Sequence, residues 1–328
     1  MLPIFLLASM TVLSISTLTG SITNTIIIAV NVIDKVKGKS LSPSDIILVT
    51  MGLSNVFFQL IMLANDFVSF LESDLYYSEG VYILFTIALN LPIYISFWFT
   101  ACLSINYYFQ IVIFTHPFLI RLKHVVSRLI PQLLVVSVMV SMATCLPVMW
   151  YINMNKQDFN MTSNQTVEST FPELNLTYLI ISNVVSCSLP LVLAGIANGL
   201  IIKSLIDKTH KSERNAKGDL SPRTEGRIRA ARTISCLLFI YISFYVSEVL
   251  MFTEALPPSS PGFCACLMVI YSYAPAQSVV LIFGSPKLKH VALSIIRCLR
   301  GIHKEKSKNS SFSFIDVNTQ KASQFSEG

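Results

Sequence analysis

Residues 80–115 read GVYILFTIALNLPIYISFWFTACLSINYYFQIVIFT, thirty-six positions without one Asp, Glu, Lys or Arg. As a helix this stretch would measure about 50 Å, longer than the ~30 Å hydrocarbon core of a bilayer. A surface helix of a water-soluble domain would alternate an apolar stripe with a charged face, and no charged face exists here. Backbone groups in lipid must be satisfied within the segment, which favours a helix over open strands. The stretch therefore predicts a membrane-crossing helix that tilts or projects before His116-Pro117 breaks it.

Six further runs of similar character flank it: Ile4–Ile33, Ile46–Asn65, Leu129–Asn153, Tyr178–Ile202, Thr233–Thr253 and Gly262–Gly284. The chain is 53% hydrophobic and 13% charged, against about 25% charged in soluble domains. The gaps between runs sort the cations. Lys and Arg number 3 in 34–40, 3 in 114–128, 9 in 203–232 and 8 in 285–328, but 0 in 71–80, 1 in 154–177 and 0 in 254–261. Strict alternation of this kind follows when basic residues stay cytoplasmic and every run crosses the bilayer. The reading is an all-α membrane protein, a seven-transmembrane helix bundle with its N-terminus outside and C-terminus inside.

The spans are expected at about 5–33, 44–70, 81–113, 127–152, 178–205, 230–254 and 262–284, within one domain of residues 1–303. Over 287–302 the apolar positions share one helical face, as in a short amphipathic helix on the inner leaflet. Residues 304–328, rich in Ser, Gln, Lys and Asn, are expected to form a disordered cytoplasmic tail. The first run has no basic n-region and is too long for a cleaved leader, so it is expected to stay as an anchor.

The net charge of +6 is accounted for by the topology rule, and the basic gaps point to anionic lipid and a cytoplasmic partner, not nucleic acid. The gap 154–177 carries three glycosylation sequons, at Asn160, Asn164 and Asn175, as suits a loop on the outer side. Four of the seven cysteines fall within spans, where they act as small hydrophobes. No cysteine lies in 154–177, so a disulfide from the third span to that loop cannot form. Cys298, in the expected amphipathic helix, is a candidate for palmitoylation. Pro92, Pro147, Pro190 and Pro275 fall within spans and are expected to kink them.

Catalytic chemistry has little to work with. All five histidines lie in segments expected to be cytoplasmic, and no metalloprotease, phosphate-loop or nucleophile-elbow pattern occurs. A lone Cys264-Ala-Cys266 is no metal signature. No enzyme activity, cofactor or metal is expected. The one carboxylate well inside a span is Glu248, about two turns from the outer end of the sixth. An intramembrane charge faces the bundle interior or water and marks function, so Glu248 reads either as an anchor for a cationic ligand or as a structural hydrogen-bonding group. Asp66, beside Asn65 at the outer end of the second span, has the same two readings.

The motifs narrow the class. The third span lacks D-R-Y and the seventh lacks N-P-x-x-Y, unlike ordinary rhodopsin-like receptors. Instead Trp98-Phe-Thr-Ala-Cys-Leu-Ser-Ile-Asn-Tyr-Tyr-Phe109 and His116-Pro-Phe-Leu-Ile-Arg-Leu-Lys123 resemble the type 2 (bitter) taste receptors. Gly20-Ser-Ile-Thr-Asn24 with Asn31, Leu189-Pro190 through Ser204-Leu205, and Arg229-Ala-Ala-Arg-Thr-Ile-Ser235 are similar to that family's first, fifth and sixth spans. Gln277-Ser-Val-Val-Leu-Ile-Phe-Gly-Ser-Pro-Lys-Leu-Lys289 is similar to its seventh. The resemblance covers about residues 5–300. It departs where Asn55 stands for an Arg, Gln277 for a His and Ser285 for an Asn. Ala88 stands where a Trp is frequent, Pro92 where an Asn is, and Leu267 where a Glu is sometimes used; Asn90 is two residues off and faces another direction.

That resemblance implies a G-protein-coupled chemoreceptor of the plasma membrane for small, largely apolar and in some cases cationic bitter agonists. The ligand site maps to Asn65, Asp66, Ala88, Leu91, Pro92, Ile95, Phe244, Tyr245, Glu248, Leu267, Met268 and Tyr271. The implied partner is a heterotrimeric G protein with a gustducin- or inhibitory-type α subunit. It would be met by Tyr107, His116, Arg121, Lys123, Lys203, Lys208, Arg229, Arg232, Lys287 and Lys289. Alternatives are a vomeronasal type 1-like or other chemosensory receptor, and, more distantly, a transporter or channel; the latter would need polar residues threading several spans.

Overall fold

The computed structural model describes all residues except 1, 113–116, 162–164, 215–221, 254, 258–259 and 299–328. His116, Asn164 and the expected tail at 304–328 therefore lie outside the described residues. Helices α1 (Leu2–Val36), α2 (Pro43–Leu71), α4 (Glu79–Ile111), α5 (Pro117–Cys145), α9 (Pro222–Phe252) and α10 (Pro261–Gly284) are long. The remaining span is compound: α7 (Leu176–Asn183), a π-helical turn (Val184–Ser188) and α8 (Leu189–Arg214). Short helices α3 (Ser73–Tyr76) and α6 (Val148–Tyr151) sit between spans. Among the described residues, seven helical segments are long and apolar enough to cross a membrane.

The spans close a ring: α1 on α2 and α10, α2 on α4, α4 on α5 and α8, α8 on α9, and α9 on α10. Helix α4, the stretch from which the reading began, also touches α9 and so runs through the middle. The bundle has two ends. One, here the hairpin end, carries residues 72–78, 152–161, 165–174 and 255–257. The other, the basic end, carries 37–42 and Val112 with the adjoining ends of α4, α5, α8 and α9. Met1–Gly284 form one compact unit; in a second, residues 286–298 are helical.

The sequence reading left 154–177 as a polar loop in an all-helical chain. The structure corrects this: β1 (Ile152–Met161) and β2 (Gln165–Leu174) pair antiparallel, from Ile152 opposite Leu174 to Met161 opposite Gln165. Its base is fixed by Asn175 N–H donating to the Tyr151 carbonyl (3.0 Å) and by Tyr151 stacked on Tyr178 (centroids 5.0 Å apart). A hairpin needs only partners for its own backbone, which explains why a polar sequence without an alternating apolar face still orders as strands.

Helix ends follow local chemistry. Helix α1 ends in a Schellman motif: Lys39 N–H donates to the Asp34 carbonyl and Gly38 N–H to that of Lys35, both 3.0 Å. Gly38 takes φ +79°, a conformation that only glycine adopts without strain. Ser42 and Asp45 form a capping box at the start of α2, with Pro43 in its first turn, the arrangement that satisfies orphan N–H groups. Pro92 and Pro275 lie inside helices, as does Pro131. Pro147 instead sits at the break between α5 and α6, where the Tyr178 hydroxyl is shared between the Thr144 and Cys145 carbonyls (2.7 and 3.0 Å).

Polar side chains bind the first two spans. Asn55 donates to Asn24 (3.2 Å) and Gln59 to the Ser16 carbonyl (2.9 Å), all among buried residues. Gly20 permits this: a Cβ there would overlap the Gln59 side chain. Gly20→Ala is expected to eject Gln59 from its bond and lower stability by about 1–3 kcal/mol, read as a lower unfolding midpoint of the detergent-solubilised chain. An unchanged midpoint would show that Gln59 relocates freely.

Candidate functional site

The hairpin half of the bundle encloses a cavity of about 750 Å³, within the range of small-molecule sites. Five spans build it. Helix α2 supplies Met62, Asn65 and Asp66, and α4 supplies Tyr82, Thr86, Leu89, Asn90 and Ile93. Helix α7 adds Leu176 and Leu179; α9 adds Phe244, Glu248 and Met251; α10 adds Leu267, Ile270 and Tyr271. Tyr76 of α3 and Phe252 and Thr253 at the end of α9 lie at its mouth. No Lys, Arg or His lines it among the described residues. A side recess of about 10 Å³, lined by Asn90, Tyr94, Tyr178 and Ser182, adjoins it.

Six of the twelve expected ligand positions line this cavity: Asn65, Asp66, Phe244, Glu248, Leu267 and Tyr271. Ala88, Leu91, Pro92, Ile95, Tyr245 and Met268 do not. On α4 the cause is rotational. Positions 88, 91, 92 and 95 form a proper i, i+3, i+4, i+7 stripe, and so do the observed 86, 89, 90 and 93. The two stripes are offset by two residues, which is about 200° around a helix. Asn90 thus faces the cavity, donating to the Thr86 carbonyl (2.9 Å), and Pro92 is buried against α2 with its carbonyl bonded by Ser54 (3.1 Å). Tyr245 turns toward the π-helical turn, where its hydroxyl meets that of Ser188 (2.6 Å).

Two acids sit in the wall in contrasting states. Asp66 accepts from the Tyr271 hydroxyl (2.7 Å) and from Asn65 Nδ2 (3.0 Å), while Asn65 Oδ1 accepts from Tyr76 (3.1 Å). Burial among aromatic neighbours pushes the Tyr76 phenol up to about 12, so it remains a donor at physiological pH. Tyr76 in turn lies edge-on to Tyr77 and Tyr82. No sequence signal marked Tyr76, which belongs to a single helical turn between spans. Glu248 is 5% exposed, and its Oε2 has no hydrogen-bond partner among the described residues. It stands one turn from the end of α9 at Phe252, closer than the two turns expected. Leaving such a group unpaired costs several kcal/mol as an anion.

Beneath the cavity, Phe244 packs against Phe97 (6.1 Å) and Tyr273 (4.7 Å), and Tyr241 against both of those rings (4.7 and 5.3 Å). The Tyr241 hydroxyl donates to the Ser96 carbonyl (3.0 Å) and accepts from Gln277 Nε2 (2.9 Å) and the Tyr273 hydroxyl (3.2 Å). Helices α4, α9 and α10 are thereby tied together directly below the site. Farther on, at the basic end, Ile111, Ile201 and Ala231 form a buried apolar cluster flanked by Tyr107, Tyr108, Leu205 and Ala230.

The expected partner-contact residues on α4, α5, α8 and α9 belong to the helix segments toward that end. Tyr107 belongs to the apolar cluster; Arg121, Lys203 and Arg232 are exposed, and Lys123 is half-buried. Arg229 pairs with Glu225 (2.9 Å). Lys208 lies in α8, while Lys287 and Lys289 belong to the helix at 286–298 in the second unit. Of the sequons, Asn160 lies in β1 opposite Thr166, and Asn175 caps α7, its Oδ1 accepting from Thr177 and Tyr178 N–H (2.9 and 3.2 Å). Cys298, at the end of the described chain, is exposed, and all seven cysteines are free.

Comparison with known proteins reaches almost the whole of this architecture. The family model described as taste receptor protein (TAS2R) matches residues 1–300. Taste receptor type 2 member 40 of Gallus gallus is 32% identical over 281 residues, covering 84% of this chain and 90% of that protein. Taste receptor type 2 member 119 of Mus musculus is 30% identical over 281 residues (85% and 82%). Member 39 of Macaca mulatta is 29% identical over 292 residues (88% and 86%). With seven apolar helices around a cavity and a family match over residues 1–300, this multi-pass membrane protein belongs to the taste receptor type 2 family, which is not a family of enzymes.

Proposed function

We propose that the chain is a bitter receptor of the plasma membrane whose ligand site is the cavity at the hairpin end. In this reading the hairpin end is extracellular and the basic end cytoplasmic. The three sequons at 160, 164 and 175 and the cation-rich gaps support that orientation. The observation that carries the ligand role is Glu248: a buried carboxylate in a cavity wall, with one oxygen unpartnered and no basic side chain lining the cavity among the described residues. Such a site suits small, largely apolar compounds, with Glu248 holding the charge of a cationic one. A ligand pressing on Phe244 would shift the Phe97–Tyr241–Tyr273 cluster below it. It favours a second state only to the extent that it binds that state better.

The second state would separate the Ile111–Ile201–Ala231 contact and admit a heterotrimeric G protein, with a gustducin- or inhibitory-type α subunit by family. Tyr107, Arg121, Lys123, Lys203, Arg229 and Arg232 would form its surroundings. The test is a calcium-flux screen of bitter compounds on cells expressing the chain with a promiscuous G protein, beside mock cells. Ligand-dependent flux supports the reading; ion flux without any G protein would replace it with a channel or transporter. Glycosidase treatment is expected to increase gel mobility, and loss of that shift on removing all three sequons places the hairpin outside.

A further inference from the structure

We propose that the cavity is built for molecules bearing two ammonium groups, one held at Asp66 and the other at Glu248. This rests on the cavity being the ligand site. Asp66 stands on α2 and Glu248 on α9, both in the same wall system, and no Lys, Arg or His balances either among the lining residues. Asp66 is preorganised: Tyr271 and Asn65 each donate to it, and Tyr76 holds Asn65 in place. Each of its oxygens accepts one of these bonds and keeps a lone pair for a cation, and Tyr76, Tyr82 and Tyr271 line the same cavity, where aromatic rings favour an ammonium. Glu248 offers the complementary case: the residue lines the cavity, is 5% exposed, and its buried Oε2 has no partner among the described residues.

A singly charged ligand pairs with one carboxylate only, and the other, buried without a counter-charge, stays neutral by holding its proton. A diammonium ligand pairs both and lays its apolar middle along Met62, Ile93 and Ile270. Binding is non-covalent throughout. Recognition therefore depends on the separation of the two charges, not on total apolar length alone.

The experiment uses the purified full-length chain in nanodiscs and measures thermal stabilisation by α,ω-diaminoalkanes from 1,4-diaminobutane to 1,12-diaminododecane. Each is compared with its monoamine and its diol, and a neutral bitter agonist from the flux screen serves as control. Affinity for the diamines is expected to peak at one chain length and there to exceed the monoamine by about 10-fold or more, the effect of one buried charge pair. The isosteric changes Asp66→Asn and Glu248→Gln should each reduce that diamine to the level of its monoamine. Affinity that rises smoothly with chain length, or diamines no tighter than monoamines, would overturn the proposal. Stabilisation by the neutral agonist but by no diamine would overturn it while leaving the cavity as the ligand site. Stabilisation by neither would overturn both.

Discussion

Glu248→Met is expected to change stability and function in opposite directions. The ligand-free chain should unfold at a higher temperature, because the substitution removes a buried acid whose Oε2 has no partner among the described residues. Relief of one unsatisfied buried polar group is worth about 1–3 kcal/mol, and methionine fills irregular space without strain. Cationic agonists should lose about 100-fold in potency, in line with removing one partner of a buried charge pair, whereas neutral agonists of similar size should change little. Differential scanning of the purified variant and concentration–response curves with paired cationic and neutral compounds give the two readouts. A variant that is less stable and equally weak toward both classes would assign Glu248 a structural role. Stability sacrificed at a binding site is a common trade in proteins.

The second large effect is expected at the opposite end. Ile201 is fully buried between Ile111 and Ala231, where α4, α8 and α9 meet. Ile201→Ala should cost this closed arrangement about 2–5 kcal/mol. A state in which the three helices separate loses little by the same change, so the equilibrium moves toward it. Ligand-independent G-protein signalling, normalised to the amount of receptor at the cell surface, should rise. Ile196→Ala, one turn and a little earlier on α8, serves as control: Ile196 is 56% exposed and faces outward, so its truncation should leave basal signalling unchanged. Reduced signalling from Ile201→Ala with no basal increase would mean that the cluster supports the active state instead.

The spans were legible because lipid punishes charge. An uncharged run of thirty-six residues and the parity of Lys and Arg need no knowledge of packing to be read, and the seven helices follow. The cavity was only half legible. Asn65, Asp66, Phe244, Glu248, Leu267 and Tyr271 could be found because each is polar or aromatic in a span or maps onto a recognisable motif. On α4 every residue after Glu79 is uncharged, so no charge in the sequence distinguishes the face carrying Ala88 and Leu91 from that carrying Thr86 and Leu89. An alignment slip of two positions there reverses the helix. Tyr76 was missed for another reason: periodicity has no purchase on a four-residue helix. The hairpin escaped because its order comes from backbone pairing and from its base at Tyr151 and Asn175, neither of which leaves an alternating apolar pattern.

At Asn175 the helix cap and the proposed glycosylation would use different atoms. Its Oδ1 caps α7, and N-linked modification takes place on Nδ2, so a sugar and the cap can coexist.

The π-helical turn at Val184–Ser188 holds one residue more than an α-helical turn would, with Leu189 N–H reaching back to the Val184 carbonyl. Through it Ser186 meets Thr144 and Ser188 meets Tyr245, which fixes α8 while α7 keeps its own rotational setting. Loss of a single codon within this turn would convert it to regular helix and swing α7 by about 100°, carrying Leu176 and Leu179 out of the cavity wall. A gene can thus reshape the chemistry presented to ligands by a change of length alone, with every contact residue left intact.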